Sequence, residues 1–159
     1  MNHEQSVAWR DLEPIMDLGQ LLHHLADDFQ QRILLKCRER GHRKFRSSHG
    51  AVINRLDPIG LSLGDLAERI GISQQATGKL ARDLERAGYL ESQPDDRDKR
   101  SRIIRLSSLG SGLKQDIAEV LVEVRGEYAA VLGDGGILSL ERHLRDAASA
   151  LGPALALTV

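Results

Sequence analysis

Gln74, Gln75, Thr77, Lys79 and Arg82 recur at spacings that set them along the exposed face of a helix, with Ser73 directly before them. A face of amides and cations suits one kind of chemistry. Gln can bond adenine in bidentate fashion, and Lys can reach guanine or a phosphate. Ser73 fits two roles at once, a cap for the helix start and a donor to an anion there. Further on, Arg97, Lys99, Arg100 and Arg102 form a basic cluster interleaved with Asp95, Asp96 and Asp98. Those acids would repel phosphate unless they orient the arginines. Duplex DNA presents phosphates along its backbone and base edges in its grooves, so a chain offering both sets is a candidate DNA reader. The plainer alternative for each set is a solvated face.

Other chemistry is thinly represented. Cys37 is the single cysteine, which excludes an intramolecular disulfide framework and any multi-cysteine zinc finger. Cys37, Glu39, His42 and His49 match no metal-ligand spacing, so no metal is expected, and Cys37 reads as a small buried apolar residue. His49 stands where a cap or a pocket residue would stand. The chain has no P-loop, no glycine-rich dinucleotide fingerprint, no His-Glu-x-x-His and no nucleophile elbow, so neither enzyme activity nor a cofactor is expected.

The elements that would position these residues can be traced from the periodicity. A first helix runs from Pro14 to Gly41, with Leu18, Leu22, Leu25, Phe29, Ile33 and Cys37 as its apolar stripe. A short helix after Ser47-Ser48 carries Val52, Ile53 and Leu56 before Pro58 stops it. A third begins at Ser62-Leu63-Gly64-Asp65, which has capping-box spacing, and leaves at Gly71. Ser73 caps a fourth, Gln74 to Ala87, ended by Gly88. Tyr89–Ser92 and Arg102–Leu106 then read as strands joined by a polar loop, a β-hairpin. A long fifth helix opens at Ser107-Ser108 and carries Leu113, Ile117, Val120, Leu121, Val124, Tyr128 and Leu132. Gly133, Gly135 and Gly136 break it, and Ser139 caps a last helix. Only Gly71-Ile72-Ser73 separates the third and fourth helices, a helix-turn-helix connection, and the basic-tipped hairpin directly after it makes a winged helix.

Composition agrees. A chain of 159 residues with 41% hydrophobic content supports one domain with a real core. Aromatics are only 3%, so Leu, Ile, Val and Ala must build that core, a diet that favours helices. No apolar run approaches the roughly 18 residues that a membrane span needs, and no signal peptide is evident, so a cytoplasmic protein away from membranes is expected. The net charge of −1 hides an uneven layout. From Arg32 to Arg55 eight bases face only Glu39, a local block that points to an anionic partner.

The sequence resembles the MarR (multiple antibiotic resistance regulator) family of winged helix-turn-helix transcription regulators. The likeness is carried by Leu63-Gly64-Asp65-Leu66-Ala67-Glu68-Arg69-Ile70-Gly71-Ile72-Ser73 and by Leu84-Glu85-Arg86-Ala87-Gly88-Tyr89-Leu90. It continues through Asp98-Lys99-Arg100-Ser101 and Leu106-Ser107-Ser108-Leu109-Gly110. Two positions depart from the pattern: Gly78-Lys79 stands where Thr-Arg is commonest, and Gly50 where an aromatic is frequent.

The resemblance implies a mainly α fold with a small β-hairpin wing, in one MarR-like domain over residues 1–159. Residues 14–41 and 108–159 would form a helical dimerisation base, and 48–107 the DNA-binding lobe. It implies a homodimer placing two recognition helices in successive major grooves of a pseudo-palindromic operator, about 10 base pairs apart. It assigns Arg100 to the minor groove, with Asp98 bracing it or a neighbouring base. It further implies a repressor released by a small phenolic or carboxylate effector, for which Leu25, Phe29, His49, Ile53 and Tyr128 are pocket candidates by position. The alternative is a winged-helix module that binds another protein without specific DNA binding.

Overall fold

The computed structural model describes residues 9–56, 59–95 and 102–151, with side chains in the first helix from Asp17 onward. Six helices and three strands follow in the order α1 (Trp9–Glu39), α2 (Gly50–Arg55), β1 (Leu61–Ser62), α3 (Leu63–Ile70), α4 (Gln74–Ala87), β2 (Leu90–Pro94), β3 (Arg102–Leu106), α5 (Ser108–Leu132) and α6 (Asp134–Ala150). One 3-10 turn, Ser47–His49, leads into α2. The fold is mainly α with a small antiparallel sheet, as expected.

Three local expectations change. α1 begins at Trp9 rather than Pro14, so the proline lies in the second turn of the helix. Leu61–Ser62 adds a strand that a two-residue pattern cannot announce; it pairs with β3 through Leu61–Ile104 and Ser62–Ile103, giving the order β1-β3-β2. α6 starts at Asp134, not at a Ser139 cap. Gly133 alone breaks the chain, at φ +74, whereas Gly135 and Gly136 are helical. They sit in the first turn, whose amides have no intrahelical partner in any case, and Asp134 favours the positive end of the helix dipole.

The chain divides into two compact units, Met1–Ala118 and Glu119–Val159. Thus α1 belongs with the winged lobe. The first unit is built on Cys37, Val52, Ile53, Leu56, Leu66, Leu84 and Leu113, all fully buried. Two long-range polar ties close it. Lys114 Nζ donates to the Leu56 carbonyl at 2.6 Å, and Asp116 takes bonds from the end of α1. In the second unit Arg125 grips Glu141 through two bonds of 2.6 and 3.2 Å, joining α5 to α6. That pairing holds the Glu141 carboxyl below its ordinary value and raises the Arg125 guanidinium. Among the described residues no helix is long and apolar enough to cross a membrane.

Candidate nucleic-acid interface

The turn between α3 and α4 is set by its caps. Ser62 Oγ accepts from the Asp65 amide at 3.1 Å and donates to the Asp65 carboxylate at 2.7 Å, closing the start of α3. Gly71 ends α3 in the left-handed region, φ +77, where its amide donates to the Ala67 carbonyl at 2.9 Å. A side chain there would be strained. Two residues later Ser73 Oγ accepts from the Ala76 amide at 3.2 Å and starts α4. Ala67 and Ala81 are small and buried, which lets neighbouring backbones approach, while Leu66 and Leu84 fill the space below.

This geometry sorts the candidates on α4. Gln74, Gln75, Lys79 and Arg82 are exposed and follow one another along its outer side. Thr77 is not with them. Expected on the exposed face, it is fully buried, and its hydroxyl donates to the Ser73 carbonyl at 3.0 Å. The reason is helical phase: Thr77, Ala81 and Leu84 recur every three or four residues and share the inner stripe with Gly78. Gly78 therefore costs no exposed contact. A Cβ there would lie 3.4 Å from Arg82 Nη1 and 3.6 Å from Leu63 Cδ2.

The wing leans on the same helix. A cleft of about 640 Å³ is lined by Gln74, Gly78 and Arg82 of α4 together with Ser92 and Arg102 of the sheet. Arg102 is locked at its base, with Nε on Ser92 Oγ and Nη2 on the Ser92 carbonyl, both at 3.0 Å. Across the same ladder Arg105 Nε meets Glu91 Oε1 at 2.7 Å. The candidates Arg97, Asp98, Lys99 and Arg100 lie outside the described residues.

Within the first unit the effector candidates differ in their surroundings. His49 is buried and lines a separate, strongly basic cleft beside the end of α1, which neither Leu25, Phe29 nor Ile53 joins. Ile53 is sealed in the core, Leu25 is 41% exposed on α1, and Tyr128 is half-buried in the second unit. Cys37 is fully buried; burial, helped by the Asp116 carboxylate, pushes its thiol up and keeps it protonated. Among the described residues no group of three His, Cys, Asp or Glu is placed to hold a metal.

A capped tri-helical core, an outward α4 and a β-hairpin packed at its side define a winged helix-turn-helix protein. Residues 50–101, about a third of the chain, match the MarR family model, so this segment is similar to that family. The chain is 38% identical over 79 residues to the transcriptional activatory protein BadR of Rhodopseudomonas palustris, covering 49% of this chain and 43% of that protein. The match thus spans less than half of that relative's length. Among solved structures, the PcaV transcriptional regulator of Streptomyces coelicolor with its natural ligand superposes over 84% of this chain and 93% of its own, with a TM-score of 0.62 and 22% identity. A MarR mutant from E. coli complexed with operator DNA covers 86% and 96%, with a TM-score of 0.67 and 16% identity. At these identities the likeness is one of fold.

Proposed function

We propose that this protein is a sequence-specific DNA-binding transcriptional regulator that acts as a homodimer on a pseudo-palindromic operator. The observation that carries this reading is α4, whose outer side holds Gln74, Gln75, Lys79 and Arg82 exposed while its inner side is pinned by Thr77, Ala81 and Leu84. A helix held rigidly from behind with hydrogen-bonding side chains in front is what major-groove reading needs. The operator-bound MarR mutant and the MepR–DNA complex of S. aureus share the fold and support it.

Dimerisation is supported by apolar surface that the folded chain leaves uncovered. On α1, Leu18, Leu21, Leu22 and Leu25 are 58%, 51%, 45% and 41% exposed, a run on successive turns of one helix. Contiguous exposed apolar surface of this kind marks an interaction site. The family resemblance favours a repressor relieved by a small carboxylate or phenolic effector, whereas BadR is by name activatory. A reporter driven by the bound operator separates these two outputs.

The experiment is an operator titration over a range of salt. Each phosphate neutralised by Lys79, Arg82 or Arg100 contributes a slope of about −0.9 in log K against log salt. A steep slope is expected. A flat one with the selected operator would sink the reading in favour of a protein-binding winged helix.

A further inference from the structure

A cleft of about 530 Å³ opens between the last turn of α1, the segment that follows it, and the C-terminal half of α4. Its walls carry five cations, Arg38, Arg43, Lys44, Arg46 and Arg86, against a single carboxylate, Asp83. That carboxylate faces Arg86 at 3.4 Å, and the other four cations form no ion pair among the described residues. Gathering like charges in a concavity opposes folding unless something anionic enters.

His49 supplies a second, independent sign. It is 2% exposed and lines the cleft. Its Nδ1 accepts from the Arg46 amide at 3.3 Å, which leaves the ring proton on Nε2. Nε2 is buried and has no hydrogen-bond partner among the described residues. A buried donor without an acceptor costs about 1–3 kcal/mol, and natural folds rarely keep one without use. The ring stays neutral, because burial and the Arg46 charge both hold it below the ordinary imidazole value. It therefore adds no sixth charge to the cleft wall.

We propose that this cleft is a binding site for a phosphorylated small molecule, with Arg38, Arg43, Lys44 and Arg46 as its charge partners and the neutral His49 ring in its wall. Arginines present paired donors that match phosphate oxygens, and four unpaired cations suit a dianion better than a single carboxylate. The volume lies within the roughly 300–1,000 Å³ range of small-molecule sites, so it exceeds what a bare ion fills. Phe45 and Ala87 add apolar wall for the remainder of the ligand. Position argues against DNA as the occupant. Arg86 lies eleven residues beyond Gln75, about 16 Å along α4 from the end that would enter the groove. That exclusion of DNA rests on the DNA-binding reading, whereas the charge and volume of the cleft do not.

The test is isothermal titration of the full chain at fixed ionic strength with pyrophosphate, phenyl phosphate and benzoate. Saturable binding of both phosphates, at least tenfold tighter than benzoate, is expected. The paired substitution Arg43→Gln and Lys44→Gln, both on exposed side chains, should weaken it tenfold or more. Arg142→Gln with Arg145→Gln, removing the same charge from α6, should leave it unchanged. Absent or non-saturating binding, equal loss in the α6 variant, or benzoate binding as tightly would each overturn the proposal. A duplex titration of the Arg43/Lys44 variant reads the other phosphate source. A salt slope shallower by about 2 units, together with no pyrophosphate binding by the unsubstituted protein, would assign these cations to the DNA backbone instead.

Discussion

His42 and Asp116, 74 residues apart in the chain, meet at 2.7 Å between Nε2 and Oδ2. The other oxygen of the same carboxylate accepts from Arg40 Nη1 at 3.2 Å, so one side chain on α5 fastens the whole exit of α1. The His42 amide donates to the Cys37 carbonyl at 3.0 Å and its ring stacks obliquely on Tyr89, with centroids 5.7 Å apart. This knot orders the start of the segment that also carries Arg43, Lys44 and Arg46. Asp116→Ala should destabilise the protein by about 1–3 kcal/mol, because a buried imidazole loses its partner. Urea denaturation measures this, and an unmoved midpoint would show that the tie contributes nothing net.

Two glycines, alike in the sequence, should respond in opposite ways to alanine. A Cβ on Gly110 would run into the Tyr89 carbonyl, a backbone atom that cannot swing aside, at the point where α5 packs on the start of β2. The same carbonyl accepts from the Ser107 amide at 3.0 Å, and Ser107 Oγ caps the helix by accepting from the Gly110 amide at 3.0 Å. Gly110→Ala should therefore cost well over about 2 kcal/mol, in the range of strained, overpacked sites. Gly78→Ala places its methyl at ordinary contact distances in mid-helix and should gain up to about 1 kcal/mol. Thermal melts of the two variants shifted in the same direction would contradict this account.

The contrast shows what could be read from the chain alone. Ser62, Ser73, Gly71 and Gly88 act within a few residues of themselves, so α3 and α4 are bounded where their caps predict. The likeness around Gly110 marked the start of α5, but the reason for a glycine there is a carbonyl brought close by tertiary packing. Thr77 shows a related conflict: its polarity favours solvent, while the phase shared with Ala81 and Leu84 points it inward. β1 has no local signal, because its two residues pair with a strand more than forty positions away. The basic run from Arg38 to Arg46 was visible as charge, yet its closure into a cleft depends on Asp83 and Arg86, supplied by another helix.

His49 predicts an acid-side loss of stability. Burial first, and then the Arg46 charge, lower its folded value, with Asp83 opposing; Arg38, Arg43, Lys44 and Arg86 line the same cleft. Between the folded value and the unfolded one, about 6.5, the unfolded chain binds the extra proton. Stability is thus fully present above about pH 6.5 and falls as pH drops through the folded value. His49→Gln, which cannot take up that proton, should flatten the decline of the urea midpoint between about pH 7 and 5. Parallel declines in both proteins would place the titration elsewhere.

The apolar run on α1 predicts an oligomer broken by charge. Leu18→Glu with Leu22→Glu alters residues already 58% and 45% exposed, so the fold of one chain should survive. Sedimentation should show a dimer for the unsubstituted protein and a monomer for the variant. The same monomer mass for both proteins at micromolar concentration would remove the dimer from the proposed function.

The two DNA-reading elements should fail in different ways. Gln75 and Lys79 stand on the outer side of α4 and would meet base edges, whereas Arg100, outside the described residues, falls in the segment that the family resemblance sends to the minor groove. A narrow, A/T-rich minor groove concentrates negative potential, and an arginine inserted there gains most. Arg100→Ala should weaken binding to operators with A/T-rich flanks and matter less on G/C-rich flanks. Gln75→Ala or Lys79→Ala should instead relax preference within the half-site, by about 1–3 kcal/mol for a good bidentate contact. Titrating each variant against operators changed separately in flank and core separates the two. Equal losses for Arg100→Ala on both flanks would make Arg100 a plain phosphate contact, and unchanged binding by all three variants would remove α4 and the wing from the DNA surface.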